Sequence, residues 1–258
     1  MPMNTLKFLG IGSAFNTKLG NTSAYIKATD SLLLIDCGED AFKKILELNL
    51  LDNINNINIL ITHLHSDHAG SLGSLIFYCS LILKKKANIY YPHMKSLEQL
   101  LLLQGVSKEH YNIIPNKQLK ELNLTFEEVS TYHVDIFKDS SGNVYYGEKR
   151  NVSDIRIFDC FGYRIKYNNN SIYYSGDSHH ITPEDIELLE KGGYDELYQD
   201  TCGLDYPGNA HLSLNLLCTL IKPQYRNKVY CMHIDKAFDV NEAKTLGFNI
   251  AEVTEDGK

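Results

Sequence analysis

The 258-residue chain has no tryptophan, only six prolines, and no apolar run of transmembrane length. Its first residues, Met1-Pro2-Met3-Asn4-Thr5-Leu6-Lys7, lack the basic start and apolar core of a secretory leader. A cytoplasmic protein with no membrane contact is therefore expected. Six cysteines (Cys37, Cys79, Cys160, Cys202, Cys218, Cys231) form no C-x-x-C pair, and a reducing compartment would keep them as thiols. Positive charge is also scarce, with 25 Lys and Arg against 32 Asp and Glu and a formal net charge of -7. That excludes a protein that coats nucleic acid non-specifically, because such affinity comes from cations neutralising phosphates. No stable nucleic-acid partner is expected. A small anionic ligand stays open, since bound divalent metals can supply positive charge locally. No linker or internal repeat divides the chain, and 43% hydrophobic residues can bury a sizeable core, so residues 1–258 are expected as one domain.

What the chain does have is His63-Leu64-His65-Ser66-Asp67-His68, three imidazoles and a carboxylate within six residues. Asn58 to Thr62 reads as a short buried strand and Leu72 to Leu83 as a helix body, which makes the motif a strand-to-helix loop. In extended backbone, residues two apart face the same way, so His63 and His65 can share one metal while Asp67 and His68 turn towards a neighbouring position. Imidazole with carboxylate suits zinc, and also manganese or iron. Surface-loop histidines beside a capping aspartate are the plain alternative.

Strands are expected near Leu6 to Ile11, Ala24 to Lys27 and Ser31 to Asp36, followed by a helix from Asp40 to Leu48. After the metal loop come a strand at Ile89 to Tyr91, a helix at Lys95 to Gln104 and a strand at Leu122 to Val129. The second half is similar, with strands at Ile155 to Phe161, Tyr163 to Tyr167 and Ser171 to Tyr174, and a helix from Pro183 capped by Thr182. Strands at Glu196 to Gln199 and Val229 to Met232 flank a helix at Ser213 to Ile221. A helix at Asn241 to Leu246 and a strand at Phe248 to Val253 close the chain. Two sheets packed face to face with helices outside would bury these strands.

Three further candidate ligands sit at or beside expected strand ends: His133, Asp177 in Ser175-Gly176-Asp177, and His233. Each alone reads as readily as a loop histidine or a turn aspartate. Together they point to one place, because loops at one edge of a sheet converge in space.

With these residues the sequence resembles the metallo-β-lactamase superfamily over nearly its whole length. The resemblance implies an α+β fold of four layers, αββα, with two facing mixed β-sheets and helices outside. It implies two divalent metal ions, zinc first and manganese as the alternative. One would be held by His63, His65 and His133, and a second by Asp67, His68 and His233, with Asp177 bridging. The opening Phe8-Leu9-Gly10-Ile11-Gly12-Ser13-Ala14-Phe15 with Asn21-Thr22-Ser23, and later Gln199-Asp200-Thr201-Cys202 with His211-Leu212-Ser213, are similar to the ribonuclease Z branch. That branch usually carries glutamate first in its acid-x-Thr segment; aligned on Thr201 that position is Gln199, and the acid is shifted to Asp200. Helix capping beside Ser213 is the structural alternative for His211.

The chemistry so implied is phosphodiester hydrolysis, in which paired metals activate water and offset phosphoryl charge. Asp67 would position the attacking water and His211, oriented by Asp200, would protonate the leaving sugar oxygen. Transfer RNA processing members of the branch carry a long Gly/Pro-rich arm between the third histidine and Ser-Gly-Asp. Here only the 43 residues 134–176 lie there, with no proline. The chain is most similar to compact cyclic nucleotide phosphodiesterases of the phage anti-Pycsar type. That similarity implies a cyclic mononucleotide substrate, a nucleoside 5'-monophosphate product and a homodimer. Alternatives are a ribonuclease Z-type tRNA 3' endonuclease, another hydrolase of the superfamily such as a thioesterase or lactonase, and a binding protein that sequesters cyclic nucleotide. Among 17 tyrosines, Tyr111 is the first candidate to stack on a base, in its own or a partner's pocket, with Tyr145 and Tyr146 next. Ser178, His179 and His180, beside Asp177, are candidates to touch phosphate, and His93 reads as structural.

Overall fold

The first half of the chain builds a six-stranded mixed sheet whose spatial order follows the sequence: β1 (Lys7–Gly10), β2 (Ser23–Lys27), β3 (Ser31–Ile35), β4 (Asn56–Leu60), β5 (Ala87–Tyr90) and β6 (Tyr111–Ile113). The structure is a computed structural model that describes residues 5–134, 136–146, 150–153, 155–156 and 159–254, without the side chains of 145, 146, 155 and 156. Strands β1 to β3 pair antiparallel and β3 to β6 parallel. Parallel neighbours need crossovers, and helices supply them. These are α1 (Ala41–Glu47), α2 (Ser66–Ala69), α3 (Leu72–Phe77) continued by a π-helical stretch Tyr78–Ile82, and α4 (Met94–Leu103).

Every residue of β3 is buried, because its two faces serve different layers. Leu32 and Leu34 join a cluster with Ile45, Leu72, Leu97 and Leu101 of the covering helices. Leu33 and Ile35 join Phe126, Tyr163 and Tyr174 of the second sheet. A strand with no exposed position on either face is what a sheet covered on both faces requires.

The second half contributes β7 (Gln118–Leu119), β8 (Leu124–Thr131), β9 (Ile136–Lys138), β10 (Val144–Tyr146), β11 (Ile155–Arg156), β12 (Cys160–Tyr167), β13 (Asn170–Tyr174), β14 (Glu196–Cys202), β15 (Leu212–Ser213), β16 (Val229–Met232) and β17 (Asn249–Ile250). The large sheet runs β17-β16-β14-β13-β12-β8-β7, with β15 beside the end of β14, while β9 to β11 form a small separate sheet. Helices α5 (Pro183–Glu190), α6 (Leu214–Leu220) and α7 (Val240–Thr245) bring Leu189, Leu217 and Ala243 into the same core as this sheet. The result is the expected four-layer αββα arrangement.

Local chemistry explains several boundaries. Thr182 caps α5 by accepting from the Asp185 amide, with Pro183 at the first helical position. Ser213 caps α6 in the same way through Leu216. Three expectations shift. Cys160–Tyr167 is one strand, where separate strands ending at Phe161 and starting at Tyr163 were expected. The chain runs straight through Gly162 because a Cβ there would lie 2.6 Å from the Tyr174 carbonyl oxygen, and glycine has none. Strand β4 stops at Leu60 and not at Thr62, since the Thr62 amide leaves the ladder to donate to Asp36 Oδ1 at 2.7 Å. The motif also contains its own short helix, α2, ahead of the expected helix body.

Candidate metal centre

Each proposed ligand lies just beyond a strand end. His63 follows β4, His133 follows β8, Asp177 follows β13 and His233 follows β16. Because β4 belongs to the first sheet and the others to the second, the facing sheets bring their loops together. His63 Nε2 lies 3.1 Å from His65 Nδ1, which lies 3.2 Å from His133 Nε2. Asp67 Oδ2 is 3.3 Å from both His68 Nε2 and His233 Nε2. Asp177 reaches both groups: Oδ2 is 3.7 Å from His63 Nε2, 3.6 Å from His133 Nε2 and 3.4 Å from His233 Nε2, and Oδ1 is 3.1 Å from His68 Nε2.

Two donor sets result, His63, His65 and His133, and Asp67, His68, Asp177 and His233. A tetrahedral ion with ligand bonds of about 2.0–2.2 Å spaces its donors about 3.3–3.6 Å apart, close to the separations seen here. His68 Nε2 and Asp177 Oδ1 face each other fully buried without hydrogen-bond geometry, which suits a shared cation better than a direct bond. The residues present therefore fit a pair of divalent metals.

The protonation states point the same way. Burial and neighbouring imidazoles hold His63 well below the ordinary histidine range, and burial with His133 brings His65 down to about 4. Burial also lowers His133. All three are thus neutral, as ligands must be. Burial opposes ionisation of Asp67 and Asp177, but the hydrogen bond from His233 and the nearby His68 charge at Asp67, and the charges of His233 and His68 at Asp177, keep both carboxylates ionised. His68 and His233 are raised instead, His233 to about 10, because the carboxylates of Asp177 and their outer partners override burial. Without a cation, protons on these two imidazoles balance the acidic cluster.

Outer groups meet three of the candidate ligand rings, His63, His68 and His133, by hydrogen bonds at the second nitrogen, which fixes the tautomer that would coordinate, and the Asp200 carboxylate stands beside a fourth, His233. His63 Nδ1 meets Thr62 Oγ1 at 3.0 Å, and that hydroxyl donates to Asp36 Oδ2 at 2.8 Å. The same Asp36 oxygen lies 2.8 Å from His68 Nδ1. One carboxylate thereby steadies a ligand in each donor set. His133 Nδ1 meets the Ala210 carbonyl at 3.2 Å, and His233 Nδ1 lies 3.4 Å from Asp200 Oδ1. Asp36 and His233 both adopt left-handed backbone, φ 65° and 55°, a strain of about 1–3 kcal/mol each. Asp36 is held there by the Thr62 amide and by Ser23 Oγ, which donates to the Asp36 carbonyl at 2.7 Å. Glycine is required next to this turn, because a Cβ on Gly38 would stand 2.1 Å from the Asp67 carbonyl oxygen.

Asp200 Oδ2 lies 2.7 Å from His211 Nδ1 and accepts from the Ser178 amide at 2.8 Å. Burial works against a charge on His211, and the adjacent Asp200 carboxylate outweighs it, so the imidazole pKa is raised. His211 lines a cavity of about 690 Å³ together with His65, Asp67, His133, Asp177 and His233. Both donor sets and a protonatable histidine thus open into one space.

The expected substrate contacts fare differently. Tyr111 is 4% exposed in the core beneath the covering helices of the first sheet, and its ring is not offered to its own cavity or a partner's. Apolar packing claims it. Ser178 is buried, and its hydroxyl donates to the His180 carbonyl while accepting from the His180 amide. Its part is to hold Asp200 from behind, away from the cavity. His179 donates its amide to the Tyr132 carbonyl at 2.9 Å, and both it and His180 pack near the Tyr132 ring, outside the cavity lining. The side chains of Tyr145 and Tyr146 lie outside the described residues. His93 pairs with Asp159 at 3.0 Å, in keeping with a structural role. Sequence reasoning missed Asp36, although an aspartate at a strand end before Cys37-Gly38 was a signal. It also passed over Leu204, Tyr206 and Asn209 of the cavity, which sit in a loop with no motif.

Among the described residues no helix is long and apolar enough to cross a membrane. Among solved structures, the metallo-β-lactamase fold protein YhfI from Bacillus subtilis superposes with a TM-score of 0.68 at 19% identity, covering 98% of this chain and 97% of YhfI. An anti-Pycsar protein Apyc1 from Paenibacillus harenae is 26% identical over 96% of both chains. Another from Bacillus phage vB_BsuM-Goe3 is 40% identical over 96% of this chain and 95% of the relative. The family described as anti-Pycsar protein Apyc1 matches residues 4–255, so this chain, with its metallo-β-lactamase fold, belongs to that family.

Proposed function

We propose that the chain is a metal-dependent phosphodiesterase that opens 3',5'-cyclic mononucleotides such as cCMP, cUMP, cAMP and cGMP to nucleoside 5'-monophosphates, and so lets a phage evade Pycsar defence. The observation that carries this reading is His211, held from behind by the buried Asp200, which lines the same cavity as members of both donor sets. Its anti-Pycsar relatives support the biological setting. The short interval between His133 and Asp177, too small for an RNA-gripping arm, supports a small substrate.

His63, His65 and His133 would hold one divalent cation, and Asp67, His68 and His233 a second, with Asp177 shared between them. Zinc suits the imidazole-rich set, and manganese is the alternative. Bound there, two such cations lower the pKa of water and neutralise charge building on the phosphoryl oxygens. The chain's own residues do the rest. Asp67 directs Oδ2 at His68 and His233, which leaves Oδ1 to accept a hydrogen bond from the attacking water and orient it for in-line displacement. The bond that breaks joins phosphorus to the ribose 3' oxygen, a poor leaving group unless protonated. His211, with Nδ1 held by Asp200, presents Nε2 as the proton donor to that oxygen. The active form is a cytoplasmic homodimer of single-domain subunits.

The test is a panel of cyclic mononucleotides, cyclic dinucleotides and a precursor tRNA, incubated with zinc- or manganese-loaded protein and analysed for products. Nucleoside 5'-monophosphates are expected. Precursor tRNA trimming without cyclic mononucleotide turnover would instead make the chain a ribonuclease Z-type endonuclease. Stoichiometric ligand loss with no product would make it a binding protein.

A further inference from the structure

The floor of the catalytic cavity is accounted for by ligands and by His211, but its rim is not. The rim comes from three loops: the one after β1 carrying Phe15, the one after β14 carrying Leu204 and Tyr206, and the one after β16 carrying Asp235. These loops are tied together. The Ser13 amide and Asn16 Nδ2 both donate to the Ile234 carbonyl at 3.1 Å, and the Gly203 amide donates to Asp235 Oδ1 at 3.1 Å. On this pinned frame Phe15 is 84% exposed, Tyr206 53% and Leu204 51%. Large apolar side chains held out in water beside a catalytic cavity lose the benefit of burial unless a ligand covers them.

Two polar side chains of the same rim, Asn209 and Asp235, are already committed to the loops. Asn209 donates through Nδ2 to the Leu204 carbonyl at 2.9 Å and to Cys202 Sγ at 3.1 Å, while its Oδ1 accepts from the His211 amide at 3.1 Å. Asp235 Oδ1 takes the amides of both Gly203 and Ala237. With these two turned inward, Phe15, Leu204 and Tyr206 present π-faces and aliphatic surface beside the exposed Lys236, whose long flexible stem sets no fixed pattern of donors. Such a surface grips a flat aromatic group by its faces without reading its edge.

We propose that Phe15 and Tyr206 are the residues that hold the nucleobase of the substrate, by stacking, and that this makes the chain tolerant of base identity. The inference rests on the cyclic nucleotide reading above. The phosphate is fixed at the floor, and the base, at the opposite end of the ribose, meets the rim.

The experiment uses metal-loaded full-length protein with four variants. Phe15→Leu and Tyr206→Leu keep apolar bulk but remove the π-face, while Phe15→Tyr and Tyr206→Phe keep a ring. Steady-state kinetics on cCMP and cAMP are compared with a 3',5'-cyclic ribose phosphate that lacks a base, and calorimetry follows binding of 5'-CMP and 5'-AMP. Each leucine variant is expected to raise KM, and the monophosphate Kd, roughly 5- to 50-fold for both bases. Its kcat and its turnover of the baseless substrate should stay near wild type, and the ring-keeping variants should match wild type throughout. Leucine variants with wild-type KM and Kd, or an equal loss on the baseless substrate, would overturn the stacking assignment alone. A wild-type protein that turns over no cyclic nucleotide would overturn both it and the reading on which it rests.

Discussion

Asp200 holds His211 through a 2.7 Å contact between Oδ2 and Nδ1, and its other oxygen lies 3.4 Å from Nδ1 of the ligand His233. One carboxylate therefore backs both the proposed proton donor and a metal-binding ring. Replacing His211 by Ala removes the donor without touching a ligand. Its kcat should fall roughly 10²- to 10⁴-fold while metal content, read by elemental analysis, stays at the wild-type level. A substrate with a good leaving group should lose far less, and parallel loss of metal and activity would make His211 structural.

The pH profile should show the same pair. Asp200 raises the His211 pKa, so the protonated imidazole persists to a higher pH than an ordinary histidine allows, and turnover falls as pH rises through that raised value. Asp200→Asn removes the charge that raises it. The alkaline limb of kcat against pH should then move to lower pH, and an unmoved limb would assign it to another group.

Loading the centre should expel protons. His233 is held up at about 10 and His68 is also raised, yet both must be neutral to ligate. At pH 7 cation binding should therefore release protons, and affinity should rise with pH by about tenfold per unit for each proton displaced. Calorimetry in buffers of different ionisation enthalpy measures this, and heats that do not depend on the buffer would contradict it. Chelation should also lower the unfolding temperature, because a cation that binds only the folded chain stabilises it.

Asp36 steadies His68 directly and His63 through Thr62, so Asp36→Asn should weaken metal binding about 10- to 100-fold in competition with a chelator, although Asp36 is not a ligand. Wild-type affinity in this variant would show that the rings are oriented without it.

Ser178→Ala keeps the backbone amide that holds Asp200, and Tyr111→Phe keeps the packed ring. Both variants should leave KM for cyclic nucleotides unchanged. A several-fold rise in either would return that residue to the substrate.

The candidate metal ligands were legible because their chemistry is local. Three histidines and an aspartate in six residues announce a site by residue type alone, and His133, Asp177 and His233 stand next to strands whose apolar runs are easily read. The αββα layering was legible for a similar reason, since β3, buried throughout, needs cover on both faces. Tyr111 shows the limit. By residue type it was a base-stacking candidate, but pairing of β6 with β5 placed the ring in the core. Nothing within a few residues of Tyr111 encodes that choice.

By itself the sequence determined which side chains are candidates to bind metal, where most of the long strands and capped helices run, and that charge does not favour a nucleic-acid coat. Tertiary structure alone decided that Asp36 stands behind two ligands, that Ser178 turns away from the cavity, and that Phe15 and Tyr206 share a rim. Residue type and hydrophobic period are properties of neighbours along the chain. The direction in which a loop side chain points depends on contacts hundreds of residues apart, such as Asn16 with Ile234, which form only when the two sheets close on each other.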